Sequence, residues 1–144
     1  MKHTNVLVMM IATFLVTTCL PQASNEATTE QFGEQVSLPA GSYTNITPAE
    51  LESLVQTEDF LLVNVHIPFE GDIPGTDLSI PYNEIDSHTN LLPEDKDAML
   101  VVYCKSGPMS DIAAGELLEL GFTQIYNLEG GFIAWQAAGF PLEE

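Results

Sequence analysis

Two near-continuous apolar runs dominate the hydropathy pattern: Phe60-Leu61-Leu62-Val63-Asn64-Val65 and Ala98-Met99-Leu100-Val101-Val102-Tyr103. Runs of this length without polar alternation are the mark of strands covered on both faces. A shorter strand is expected over Tyr43–Ile46, another over Phe122–Leu128, and a brief one at Leu78–Ile80. Helical spacing fills the intervals. Thr47-Pro48-Ala49-Glu50 is a helix start, with Thr47 as cap, Pro48 at the first helical position and Glu50 placed for a capping box. Leu51, Leu54 and Val55 give that helix its apolar face. Ser110–Leu120 reads as a second helix, with Ile112, Ala113, Leu117 and Leu120 on one side and Gly121 as its stop. A last helix is expected over Phe132–Ala138, ended by Gly139 and Pro141, and one helical turn over Asn83–Asp86. Strands alternating with helices predict an α/β fold, a mostly parallel central sheet flanked by helices.

The first residues follow a different pattern. Lys2 precedes an apolar stretch from Val6 to Val16, too short to span a bilayer comfortably, so residues 1–18 are expected to be a signal peptide. Leu15-Val16-Thr17-Thr18-Cys19 is similar to a lipoprotein cleavage box, with Cys19 as the lipidated first mature residue; cleavage near Ala23 is the alternative. Residues 19–41, rich in Gln, Ser, Asn, Glu and Thr, are expected to be a flexible tether, and residues 42–144 the folded domain. The expected location is outside the cytoplasm, periplasmic or in the cell envelope, with membrane attachment only through the N-terminal lipid.

Charge narrows the partners. The 144 residues carry 21 acidic side chains against three lysines and no arginine, a formal net charge of −18. No basic patch can be assembled to neutralise phosphates, which excludes nucleic acid and charge-driven docking on anionic headgroups.

Chemistry concentrates where the second apolar run ends. Cys104 is followed by a short loop, Lys105-Ser106-Gly107-Pro108-Met109, and Ser110 opens the helix. A thiol there lies at the carboxyl edge of a parallel sheet, opposite a helix N-terminus whose N–H groups and dipole favour a thiolate. With Cys19 lipidated or lost, Cys104 is a lone cysteine, either buried and inert or reactive. Two histidines and one thiol at wide spacing make no metal site, and no cofactor is expected. His66, closing the first apolar run, is a candidate lining residue or a packing one; Trp135 and Phe132 are expected in the core.

Four segments in register resemble the rhodanese family of sulfurtransferases: Leu62-Val63-Asn64-Val65-His66, Asp72-Ile73-Pro74-Gly75-Thr76, Val102-Tyr103-Cys104-Lys105-Ser106-Gly107, and Leu128-Glu129-Gly130-Gly131-Phe132-Ile133-Ala134-Trp135 with Ala138-Gly139-Phe140-Pro141. The resemblance runs from about Ile46 to Leu142. It implies a three-layer rhodanese-like fold. It also implies a mechanism in which Cys104 takes a sulfane sulfur from thiosulfate or a persulfide and passes it to a thiol or cyanide-like acceptor. Backbone N–H groups from Lys105 through Ser110 would hold the anionic persulfide, and Lys105 would supply the one nearby positive charge.

The chain departs from the family pattern at several points. Lys105 stands for a usual Arg, Met109 for a second Arg, Asn64 and His66 for Asp and Arg, and Asp72 for a His. These changes favour sulfur transfer in general over efficient thiosulfate turnover. They also leave open a weakly catalytic sulfur-carrier, sensing or partner-binding module. A phosphatase of the same fold would need an Arg at Ser110 to clamp three phosphoryl oxygens, and is rejected.

Overall fold

The computed structural model describes residues 32–144. A six-stranded sheet runs in the order β1-β2-β6-β5-β3-β4. The strands are β1 (Glu34–Leu38), β2 (Gly41–Ile46), β3 (Leu61–Asn64), β4 (Leu78–Ser79), β5 (Met99–Tyr103) and β6 (Gln124–Leu128). Only the β1–β2 pair is antiparallel; every other neighbour runs parallel. The helices are α1 (Pro48–Thr57), α2 (Pro108–Glu119) and α3 (Gly131–Ala137).

Side-chain alternation along the strands builds two cores, one on each sheet face. Leu100 and Val102 on β5, with Cys104 just beyond its end, point into the layer shared with α2, where Ala113, Ala114, Leu117 and Leu118 meet them. Val101 and Tyr103 point to the other side, against Leu51 and Leu54 of α1 and Phe132 and Trp135 of α3. Period-two geometry thus sets Cys104 facing α2 and its neighbour Tyr103 facing away. The three-layer α/β architecture predicted from the sequence is the one observed.

Local expectations hold to different degrees. At α1, Thr47 Oγ1 accepts from the Glu50 N–H at 3.3 Å while Glu50 Oε2 accepts from the Thr47 N–H at 2.7 Å, the reciprocal pair that the sequence predicts. Glu50 Oε1 also accepts from the Gly33 N–H at 2.8 Å, so this carboxylate ties the chain entering β1 to the helix start. Thr47→Ala is expected to cost about 1 kcal/mol, read as a lowered denaturant midpoint with unchanged slope.

Four expectations are corrected. Residues 34–38, assigned to the tether, form β1, paired in register with β2 from Glu34↔Asn45 to Leu38↔Gly41. An antiparallel edge strand needs little buried surface, and only Val36 of the five is half-buried. The turn expected at Asn83–Asp86 lies later, as a 3₁₀ segment at Asp86–Leu91. Its i→i+3 bonding starts once Glu84 O accepts from Ser87 N–H and buried Ile85 pins the chain. Finally, Ile112 is 56% exposed, and the buried face of α2 carries Ser110, Ala113, Ala114, Leu117 and Leu118. Val55 is likewise exposed, leaving Leu51 and Leu54 as the buried face of α1. The signal segment at 1–18 and Cys19 lie outside the described residues.

Candidate active site

Tyr103 ends β5 and Cys104 follows, at the carboxyl edge of the sheet and directly before the start of α2. The thiol is unpaired and the residue only 1% exposed. Gly107 occupies the N-cap position of α2 at φ 119°, a backbone state open to glycine, and offers no side chain to the first turn. The cysteine sulfur fills that role. Gly107 N–H donates to Cys104 Sγ at 3.0 Å, and the Ser110 hydroxyl lies 3.5 Å from the same sulfur. Pro108, at the first helical position, has no N–H that would need a partner.

These contacts decide the protonation of the thiol. Burial pushes its pKa up, but the Ser110 hydroxyl and the backbone N–H groups of Ser110, Gly107 and Ser106 outweigh it, holding the thiol below the ordinary value. The Lys105 ammonium, expected from the sequence to provide this effect, is not among the groups that do so. Its Nζ lies 2.6 Å from Glu70 Oε2, in an ion pair at the surface. The thiolate is favoured by hydrogen bonding to a helix N-terminus.

The loop itself is held from behind by α3. Phe132 N–H donates to Cys104 O at 2.9 Å, and Ile133 N–H donates to Lys105 O at 3.1 Å. A trans peptide unit points its C=O and N–H in opposite directions. Drawing the Lys105 carbonyl toward α3 therefore turns the Ser106 N–H toward the sulfur. Gly131, at φ 59°, lets the two backbones approach this closely: an added Cβ would sit 2.5 Å from Lys105 C and nearer still to Cys104 O. The Gly130-Gly131 pair, read in the sequence as a chain break, is the support of the loop.

Side-chain networks brace both flanks. Asn127 on β6 donates from Nδ2 to Asn45 Oδ1 at 2.9 Å and to Asp111 Oδ1 at 2.8 Å, and the Tyr43 hydroxyl donates to Asp111 Oδ1 at 3.1 Å. Burial and the adjacent Asp111 carboxylate push the Tyr43 phenol up to about 12. This cluster fastens the first turn of α2 to β2 and β6. On the opposite flank, Asn64 Nδ2 donates to Asp72 Oδ1 at 2.8 Å and to Gly71 O at 3.1 Å, while Asn64 Oδ1 accepts from the His66 N–H at 3.0 Å. Tyr103 OH donates to Asp72 Oδ1 at 3.1 Å and accepts from Ile73 N–H at 3.0 Å. Asn64 and Asp72, which depart from the family pattern, are thus partners of each other. An amide facing a carboxylate keeps the pair hydrogen-bonded without burying two like charges.

The remaining sequence candidates fall as follows. The His66 side chain is 8% exposed, with Nε2 at 3.2 Å from Glu70 Oε2 and its ring edge-on to Phe132 at 5.6 Å between centroids. Its Nδ1 is buried with no hydrogen-bond partner. Met109 is half-buried and packs on the α2-side core. Ser110 Oγ is also 2.8 Å from Gly107 O, so its single proton is shared between that carbonyl and the Cys104 sulfur. Trp135 is core, as expected, stacked on Phe140 at 4.3 Å and donating from Nε1 to Pro141 O at 2.7 Å. Glu70 escaped the sequence reading altogether; nothing in its local spacing marks it, since its partners lie 4 and 35 positions away.

Fold and loop together define a class: an α/β domain presenting one cysteine sulfur to a cradle of backbone N–H groups at the carboxyl edge of a parallel sheet. Comparison with known proteins narrows it. Residues 47–138 match the rhodanese-like domain family. A sulfurtransferase of Allochromatium vinosum is 38% identical over 94 residues, covering 63% of this chain and 85% of that protein. The thiosulfate sulfurtransferase GlpE of Pseudoalteromonas translucida is 30% identical, covering 67% and 92%. The crystal structure of a rhodanese-related protein from Thermoplasma volcanium superposes with a TM-score of 0.58 at 29% identity, over 68% of this chain and 95% of that one. The chain belongs to the rhodanese-like domain family, whose relatives here include sulfurtransferases.

Proposed function

We propose that this protein is a sulfurtransferase that carries a sulfane sulfur as a persulfide on Cys104. The observation that carries the reading is the Gly107 N–H at 3.0 Å from Cys104 Sγ, with the Ser110 hydroxyl beside it and the thiol pKa lowered accordingly. In the first half-reaction the Cys104 thiolate attacks the outer sulfur of the donor. A new S–S bond forms as the donor's S–S bond breaks, and the electron pair leaves with sulfite from thiosulfate or with the inner thiolate from a persulfide. In the second, a thiolate or cyanide attacks the outer sulfur of the Cys104 persulfide, and the cysteine departs as thiolate. The charge shifts outward by one sulfur in the intermediate, where fixed N–H donors stabilise it without reorganising.

The test is mass spectrometry of the protein after incubation with thiosulfate or with an organic persulfide. One added sulfur on the Cys104 peptide, removed by cyanide or a thiol, is the expected result. Absence of the adduct with both donors would overturn the reading. An adduct that neither acceptor removes would favour the sulfur-carrier alternative, for which the 1% exposure of Cys104 argues.

A further inference from the structure

We propose that Glu70 is a specificity-determining residue: its carboxylate occupies the cation beside the reactive loop and so disfavours dianionic sulfur donors relative to singly charged persulfides. The inference rests on the sulfurtransferase reading and narrows its donor class.

The argument begins with how little positive charge the loop has. Among the described residues the lysines are Lys96 and Lys105, and there is no arginine. Lys96 lies over the Phe122 ring, 3.9 Å from its centroid, at the other end of β5, in the turn that precedes the strand. Lys105 is therefore the one ammonium adjacent in sequence to Cys104, and it is 2.6 Å from Glu70 Oε2. The same carboxylate oxygen is 3.2 Å from His66 Nε2. One carboxylate thus engages both basic side chains on this edge of the site, and the Lys105 ammonium holds the Glu70 carboxyl below its usual range.

Both partners are open enough for exchange. Lys105 and Glu70 side chains are 43% and 39% exposed, so the pair is a solvent-accessible contact that an incoming anion can compete for, at modest strength. What distinguishes donors is their second charge. The sulfur being transferred meets the backbone N–H groups and Ser110, which serve any donor alike. A persulfide brings a single negative charge, located at the reacting end. Thiosulfate brings further charge on its sulfonyl oxygens, which need a cation outside the loop. Glu70 already holds that cation, and it also repels the approaching dianion. The rest of the protein, at net −18, offers no substitute.

The test reads charge preference at the cysteine itself, so it does not depend on turnover. Cys104 is alkylated with iodoacetate, an anion, and with iodoacetamide, a neutral analogue of similar size. The ratio of the two rates cancels changes in thiolate population and access. Glu70→Gln is expected to raise the iodoacetate-to-iodoacetamide ratio about three- to tenfold at low salt, the size of one unit charge acting across a few ångströms of solvent-exposed surface. Glu52→Gln, on α1, removes the same net charge and is expected to leave the ratio within twofold. In a Lys105→Met background the Glu70→Gln effect should shrink, because the cation it unmasks is gone. In turnover, Glu70→Gln should lower KM for thiosulfate with little change for an organic persulfide. An unchanged alkylation ratio in Glu70→Gln, or an equal rise in Glu52→Gln, would overturn the inference. Absence of turnover with every donor, alongside a shifted ratio, would count against the sulfurtransferase reading and leave the charge mask standing.

Discussion

Gly131→Ala is expected to lower stability by about 2–5 kcal/mol. The left-handed backbone of this residue costs a non-glycine side chain about 1–2 kcal/mol. Overpacking adds about 1–3 kcal/mol when the obstacle cannot move. Here the obstacle is backbone: the new Cβ would meet Lys105 C at 2.5 Å and Lys105 O at 2.6 Å. To relieve the clash α3 must withdraw from the loop, stretching the bonds from Phe132 N–H to Cys104 O and from Ile133 N–H to Lys105 O. Gly121→Ala separates the two effects. Its φ is 91°, but nothing lies within 4 Å of the added Cβ, so only the conformational cost of about 1–2 kcal/mol applies. Equal midpoint shifts for the two variants in denaturant would show that the contact between α3 and the loop is not tight. If Gly131→Ala fails to fold at all while Gly121→Ala folds, the packing argument stands.

This support explains why the site is rigid where it must be and soft where it can be. The Lys105–Ser106 peptide is used on both sides: α3 holds its carbonyl, and its opposed N–H faces the sulfur. The cost of orienting those dipoles is met in folding, so they need no reorganisation to hold negative charge on the Cys104 sulfur. The Asn127–Asp111–Tyr43 cluster fixes the start of α2 against the sheet, and the Asn64–Asp72–Tyr103 cluster fixes the segment leading to Gly71. Glu70, immediately before Gly71, is therefore presented to Lys105 from a braced position, although its own side chain is exposed.

Legibility in the sequence followed the range of the interactions. β3 and β5 were readable because both faces are buried and their apolar runs are continuous. The α1 start was readable because a capping box is complete within four residues. Cys104 could be placed by combining a strand end with a helix start, both local. β1 was not readable, since four of its five residues are exposed, its pairing with β2 is made by the backbone, and only Val36 touches the core. The phase of α2 was misjudged because apolar character alone selected Ile112. The side chain that must face inward is the polar Ser110, whose one proton is shared between the sulfur and the Gly107 carbonyl. That rotates the buried stripe onto Ala114 and Leu118. The ion pair of Lys105 was unreadable for a related reason. Its partner Glu70 is 35 residues earlier, and no periodicity connects them.

Ser110→Ala should show how much of the cysteine's reactivity that inward hydroxyl supplies. Hydrogen bonds to charged groups contribute about 1.5–3 kcal/mol, so loss of this one is expected to slow thiolate chemistry at neutral pH by about ten- to a hundredfold. The scaffold should survive. Gly107 O keeps the Asp111 N–H at 3.0 Å, and the Gly107 N–H remains on the sulfur. The sign follows from the native shift. Cys104 has its pKa below the free-thiol value, so the thiolate already forms at lower pH in the folded protein than in the unfolded chain. Stability gained from it is fully present above the unfolded thiol's pKa and is lost as pH falls through the folded one. Removing the Ser110 hydroxyl raises the folded value toward the unfolded one, which shrinks that gain. The alkylation rate of Cys104 with iodoacetamide, followed against pH, should therefore move its midpoint to higher pH while the plateau at alkaline pH stays nearly unchanged. A lowered plateau with an unmoved midpoint would assign Ser110 to packing alone, and the thiolate would then rest on the backbone N–H groups of Ser106, Gly107 and Ser110.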